Sequence, residues 1–193
     1  MRIFSDFSEA LNEIQRDLTE MGITIHPQTM QDKFVANDPN YETKELQCYS
    51  YMVKDAANSI DQLRPTQPWA EQEFMERISG LALNPGTAWL SRRDVWTEYL
   101  HGGKFAYTYP ERMAGKLERI IKEIKTNPDS RQLYLNIWEG TDVQYMGGVS
   151  RVPCSLGYLF QVRGGKLNIT YMMRSCDYAT HFQNDVFLAT SLM

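Results

Sequence analysis

Cys154 and Arg174 are the residues whose types and spacing first suggest chemistry. Cys154 follows Pro153 at the entry to an alternating stretch, where a strand can hold a thiol rigidly at a cavity mouth. Arg174-Ser175-Cys176-Asp177 comes 20 residues later, past a single hairpin. Antiparallel pairing across that hairpin can bring Arg174 back beside Cys154. A cationic neighbour favours the thiolate, the form of cysteine that attacks as a nucleophile. The same guanidinium can hold a phosphate through two parallel donors. The residues alone leave a second reading open, a buried structural cysteine and a surface arginine, because an unmodified cysteine commonly packs as a small apolar side chain.

The elements that must position these residues are read from periodicity. Tyr158, Phe160 and Val162 alternate, Arg163-Gly164-Gly165-Lys166 turns the chain, and Leu167, Ile169 and Tyr171 alternate again. This is the strongest hairpin signal in the sequence. Leu133, Leu135 and Ile137 alternate as a half-buried strand does. Before them the pattern is helical: Phe7, Leu11, Ile14, Leu18 and Met21 form one stripe, stopped by Gly22. Short strands are expected near residues 23–26 and 34–35. A second helix is expected over residues 41–53. A third should start with Pro68 at its first position and carry Phe74, Ile78 and Leu81. A fourth should run from Trp89 to Leu100, and a fifth from Met113 to Ile124, ended by Asn127-Pro128. Residues 182–193 read as an apolar, buried helix. The plan is α+β: helices packed on a mixed or antiparallel sheet. One domain is expected over residues 1–193, cut short at its C-terminal end, because the last helix reaches Met193 without a stop signal.

With 193 residues, 42% of them hydrophobic, the chain can bury one sizeable core. Its formal net charge of −4 argues against wrapping nucleic acid, although a few local arginines suffice for a small anion. Three cysteines without regular spacing argue against a disulfide framework, and the absence of CxxC, HExxH or a Cys/His cluster argues against a metal site. No apolar run approaches a membrane span and the start is not a signal peptide, so a cytoplasmic location is expected.

The segment RVPCSLGYLFQVRGGKLNITYMMRSCDYATHFQND resembles the nucleotide-binding core of the thymidylate synthase superfamily, closest in motif to the phage deoxycytidylate hydroxymethylases. NPDSRQLYLNIWE resembles the family's Asn-Pro-Asp-Ser-Arg-Arg strand, KELQCYSY its Glu-Leu-x-Trp helix, and FAYTYPERM its tyrosine-containing loop. The resemblance implies a thymidylate synthase-like fold dimerising through its sheet, a pyrimidine deoxynucleoside monophosphate as substrate and 5,10-methylenetetrahydrofolate as co-substrate. It implies Cys154 as nucleophile, Arg174 and Ser175 as phosphate ligands, and Arg131 as an arginine reaching the neighbouring subunit's phosphate. It implies Glu45 as the carboxylate relaying protons around the base, Tyr109 lining the substrate site, and Asp177 and Trp96 on the folate side. No metal is implied.

Departures from the family pattern sharpen the expectation. Asp185 stands where thymidylate synthases carry Asn; an Asp can accept from a cytosine amino group and, when protonated, donate to N3. Ser155 replaces His after the nucleophile, Met173 replaces Gln, and Gln132 replaces the second arginine of the Arg-Arg pair. The main expectation is hydroxymethylation of dCMP. The alternatives are methylation or hydroxymethylation of dUMP and, from another class, a non-catalytic nucleotide-binding member.

Overall fold

The computed structural model describes all 193 residues, in two compact units: Met1–Arg64 with Gly147–Ser150, and Pro65–Met146 with Arg151–Met193.

In the first unit, β1 (Arg2–Phe4) leads into α1 (Phe7–Met21), followed by β2 (Ile23–Ile25), β3 (Thr29–Met30), β4 (Lys33–Phe34), β5 (Thr43–Glu45) and β6 (Tyr51–Val53). Asp6 caps α1 by accepting from the Glu9 N–H at 2.9 Å, and the Gly22 N–H closes its other end on the Leu18 carbonyl. Phe7, Ala10 and Ile14 are its buried stripe. β1 pairs with β6 in parallel, while β2–β5 and β3–β4 are antiparallel.

The helix expected over residues 41–53 does not form. That segment supplies β5 and β6, separated by a turn in which Cys48 takes a left-handed φ of 51°. Tyr49, Tyr51 and Val53 suit strands, and their pairing partners lie far away in sequence, where helical spacing cannot announce them.

The second unit holds α2 (Trp69–Ile78), α3 (Arg93–Trp96), α4 (Tyr109–Met113), α5 (Lys116–Thr126), β7 (Tyr134–Asn136), β8 (Ser155–Arg163), β9 (Lys166–Met173) and α6 (Phe182–Thr190). Pro68 sits at the N-cap of α2 rather than its first helical position, and Leu81 falls beyond the helix, 59% exposed. The single helix expected from Trp89 to Leu100 is α3 flanked by 3-10 turns. The expected fifth helix forms as α5, except that Met113 ends a separate short helix, α4, parted from it at Ala114-Gly115, where Gly115 takes φ 69°.

β7, β8 and β9 form one antiparallel sheet in that order, with Arg163 opposite Lys166 across the Gly164-Gly165 turn. Both turn glycines have positive φ, as a two-residue hairpin turn matching the sheet twist requires. Leu133, Leu135, Ile137, Tyr158 and Phe160 are buried and pack with Met113, Ile120 and Ala189. Trp69, Ala70, Ala88 and Leu188 form another cluster, joining α2 to α6.

The hairpin register shifts between Ser155 and Gly157, so that Ser155 opposes Met173 and Gly157 opposes Met172. This bulge lies directly after Cys154 and sets where the strand begins. A Cβ on Gly157 would sit 2.5 Å from the Leu135 carbonyl oxygen and 2.7 Å from the Tyr134 hydroxyl. Gly157→Ala is therefore expected to cost about 1–3 kcal/mol, read as a lower urea midpoint at an unchanged m-value. An unmoved midpoint would show that β7 yields without cost.

Candidate active site

The hairpin does bring Arg174 to Cys154. The Arg174 N–H donates to the Cys154 carbonyl at 2.9 Å, so strand pairing extends one step past the Ser155–Met173 pair. The guanidinium then folds back over the strand entry. Its Nε donates to the Pro153 carbonyl at 3.0 Å and its Nη2 to the Val152 carbonyl at 3.3 Å. Nη2 also reaches Cys154 Sγ at 3.7 Å, and Ser175 Oγ points at the same sulfur from 3.8 Å. Two donors, one of them cationic, thus converge on a half-buried thiol.

Behind the thiol lies a buried polar cluster. Ser155 Oγ donates to the Tyr109 hydroxyl at 3.2 Å and shares a short hydrogen bond with the Tyr171 hydroxyl. Tyr171 stacks on Tyr158, with centroids 4.6 Å apart and planes within 5°. Burial pushes the phenols of Tyr109, Tyr158 and Tyr171 above their ordinary pKa, so at neutral pH they are neutral hydroxyls. Arg77 caps the Tyr109 ring at 4.0 Å and pairs with Glu73 one turn earlier on α2 at 2.9 Å.

Asp185, in the first turn of α6, faces this cluster. Cys176 Sγ donates to its Oδ2 at 3.6 Å. Its carboxyl is pushed up to about 6, mainly by burial; Arg77 and the Cys176 hydrogen bond pull it down, while Asp177 and Glu73 push it further up. The Cys176 thiol is itself driven upward by burial and by Asp185, and so remains a donor. Asp177 is exposed and accepts from the Thr180 N–H at 3.1 Å and from its hydroxyl, tying down the turn that enters α6.

The remaining expected site residues are more scattered. Arg131 is exposed in the connection between α5 and β7, beside buried Ser130. Trp96 ends α3 and lies against Trp69, Tyr99 and Phe105. Glu45 ends β5 in the first unit, exposed, accepting from the Thr43 hydroxyl at 3.3 Å; it stands on a strand and not on the helix its resemblance implied.

Sequence reasoning missed three residues here. Tyr107 is pushed up to about 12 by burial, and its hydroxyl feels Arg151, Cys154, Arg174 and Asp185. It stands two residues before Tyr109, in the connection that leads into α4, and that spacing is the one signal that pointed to it. Glu73 and Arg77 read as an ordinary surface pair at helical spacing; nothing in their pattern announces that Arg77 is buried and Glu73 half-buried.

No group of three His, Cys, Asp or Glu residues could hold a metal ion, and no helix is long and apolar enough to cross a membrane. The fold is similar to that of a thermostable thymidylate synthase A from Bacillus subtilis, with a TM-score of 0.70 and 17% identity over 97% of this chain and 71% of that one. In sequence, the chain is 29% identical over 98 residues to a thymidylate synthase of Rhizorhabdus wittichii, covering 51% of this chain and 31% of that protein. It is 38% identical over 66 residues to a thymidylate synthase of Coxiella burnetii, covering 34% and 24%. These matches span only a quarter to a third of the relatives' length. The family model described as thymidylate synthase matches residues 35–193, which contain Cys154 and every donor and carboxyl placed around it, and the chain belongs to that family.

Proposed function

We propose that this protein transfers a one-carbon unit from methylenetetrahydrofolate to C5 of a pyrimidine deoxynucleoside monophosphate, with Cys154 as nucleophile. The observation that carries this reading is the convergence of Arg174 Nη2 and Ser175 Oγ on Cys154 Sγ. C5 of a pyrimidine is a weak nucleophile. Addition of the Cys154 thiolate to C6 moves electrons onto C4–C5 and makes C5 reactive; loss of the C5 proton and expulsion of the thiolate later restore the ring. Arg174 and Ser175 hold the sulfur, and Arg174 offers the substrate phosphate its remaining guanidinium donors. Tyr107 and Tyr109 are neutral hydroxyls beside the ring. A positioned carboxyl can move protons at the base. Glu73 is the carboxyl that α2 sets in the field of Asp185, and Glu45 is the one implied by family resemblance.

The co-substrate fits the residues present: Trp96 keeps a buried indole N–H without an acceptor, and Asp177 offers an exposed carboxylate. When bound, it supplies the carbon and, for a methyl product, the hydride.

dUMP is the first substrate to test, because the named relatives are thymidylate synthases. dCMP is the second, favoured by one observation: a half-buried Asp185 whose carboxyl holds its proton up to about pH 6. Mass spectrometry of products formed from methylenetetrahydrofolate with each nucleotide distinguishes them. Nucleotide binding without product would instead support a non-catalytic member.

The proposed homodimer is tested by complementation. If exposed Arg131 serves the neighbour's phosphate, mixing Arg131→Ala with Cys154→Ser subunits should restore roughly a quarter of the wild-type rate. Random pairing makes about half the dimers mixed, and each of those has one intact site. No recovery after confirmed subunit exchange would place Arg131 outside the site.

A further inference from the structure

The proposed reaction leaves a buried row of hydroxyls behind Cys154 without a task. Ser155, the residue after the nucleophile, is 0% exposed at the start of β8. Its Oγ donates to the Tyr109 hydroxyl at 3.2 Å and shares a short hydrogen bond with the Tyr171 hydroxyl. Tyr171 stands on β9 directly opposite Tyr158, and the two rings stack with centroids 4.6 Å apart. Tyr109, at the start of α4, has Arg77 over its ring face at 4.0 Å and the Tyr107 ring edge-on at 6.0 Å. Packing thus holds both tyrosine rings, and the freedom left to each hydroxyl is the direction of its hydrogen.

Proton counting fixes that direction. A serine hydroxyl has one hydrogen to give and lone pairs to receive. Ser155 gives its hydrogen to Tyr109. The contact with Tyr171 must therefore run the other way, from Tyr171 O–H to Ser155 Oγ. Tyr109 accepts from Ser155, so its own hydrogen remains for a further acceptor. Cys154 and Asp185 both act electrostatically on this hydroxyl, which sets it beside the thiol site. Each bond in such a chain polarises the next, so the last donor is stronger than a lone phenol.

We infer that Ser155 and Tyr171 are positioning residues: Tyr171 donates to Ser155, Ser155 donates to Tyr109, and Tyr109 is thereby fixed as a donor toward the base. The inference rests on the proposed reaction, which supplies the charge to be met. As the Cys154 sulfur forms its bond to C6, the C5–C6 electron pair moves onto the base. An aimed donor stabilises charge that exists only after that step. Ser155 and Tyr171 act through Tyr109 rather than on the substrate, so their removal should be felt in kcat and not in KM.

The test measures Ser155→Ala, Tyr171→Phe and the double variant of the full chain, on the faster of dUMP and dCMP. Two rates are read. One is product formation with methylenetetrahydrofolate. The other is exchange of the C5 hydrogen into deuterium oxide without folate: sulfur adds to C6, a deuteron joins C5, the original proton leaves and the sulfur is expelled. Each single variant should lower kcat about three- to tenfold, with the nucleotide KM within about twofold. Tyr171→Phe deletes one oxygen and keeps the stack on Tyr158. Because the bonds act in series, the double variant should be no slower than Ser155→Ala alone, whereas independent structural losses would multiply. Tyr109→Phe should lose at least as much as either single variant. A wild-type kcat in either single variant, a raised KM at unchanged kcat, multiplied losses in the double variant, or a smaller loss in Tyr109→Phe each overturns the inference. Wild type that exchanges deuterium but makes no product sinks the one-carbon reading and leaves the exchange rates to decide this inference. Product formation with unchanged variants sinks the inference alone. Neither exchange nor product removes the thiolate addition, and the inference with it.

Discussion

Cys154→Ser should lower turnover by at least about 10³-fold while nucleotide affinity changes little. The substitution keeps the shape at the strand entry and leaves Arg174 and Ser175 in place, because their other contacts are to the Pro153 and Val152 carbonyls and to one another. What it removes is ionisation: an alcohol is far less ionised at neutral pH than a thiol. The measurement is kcat by product formation alongside nucleotide binding by calorimetry. A variant at the wild-type rate would remove Cys154 as nucleophile. One that loses binding and turnover equally would make it a structural residue of the phosphate site.

The second large effect concerns base choice at Asp185. A site that hydrogen-bonds one base well leaves a buried group unpaired against the other, at about 1–3 kcal/mol, or about 5- to 150-fold in relative kcat/KM. Asp185→Asn supplies the amide that complements uracil N3–H and O4, and should move the dCMP/dUMP ratio toward dUMP by that factor, with Cys154 still required. A pH signature accompanies it. The folded-state value of about 6 lies above the ordinary value of an unfolded aspartate, so the folded chain binds the proton more tightly. The stability this contributes is complete below about pH 4 and is lost as pH rises through about 6. Asp185→Asn should flatten the stability profile across that window. A base ratio unchanged by the substitution would mean that Asp185 does not read the base, whatever it does for stability. Wild type far faster on dUMP than on dCMP would likewise leave the thymidylate synthase reaction as the account of this site.

The hairpin and the thiol–guanidinium pair were legible in the sequence because both are governed by local rules. Gly164-Gly165 sets a register that brings residue 174 back to the strand entry, and the bulge between Ser155 and Gly157 shifts it by one so that residue 174 meets residue 154. α1 was legible for the same reason, as a repeating stripe ended by Gly22. Residues 41–53 were not, because β5 and β6 exist only through partners at residues 23–25 and 2–4. Nor was the inner wall of the site. Glu73, Arg77 and Tyr107 carry side chains that on a linear reading belong equally well to a solvated surface. Only tertiary packing decides that these charges lie against aromatic rings and buried hydroxyls, and burial, a long-range property, is what raises the Asp185 carboxyl.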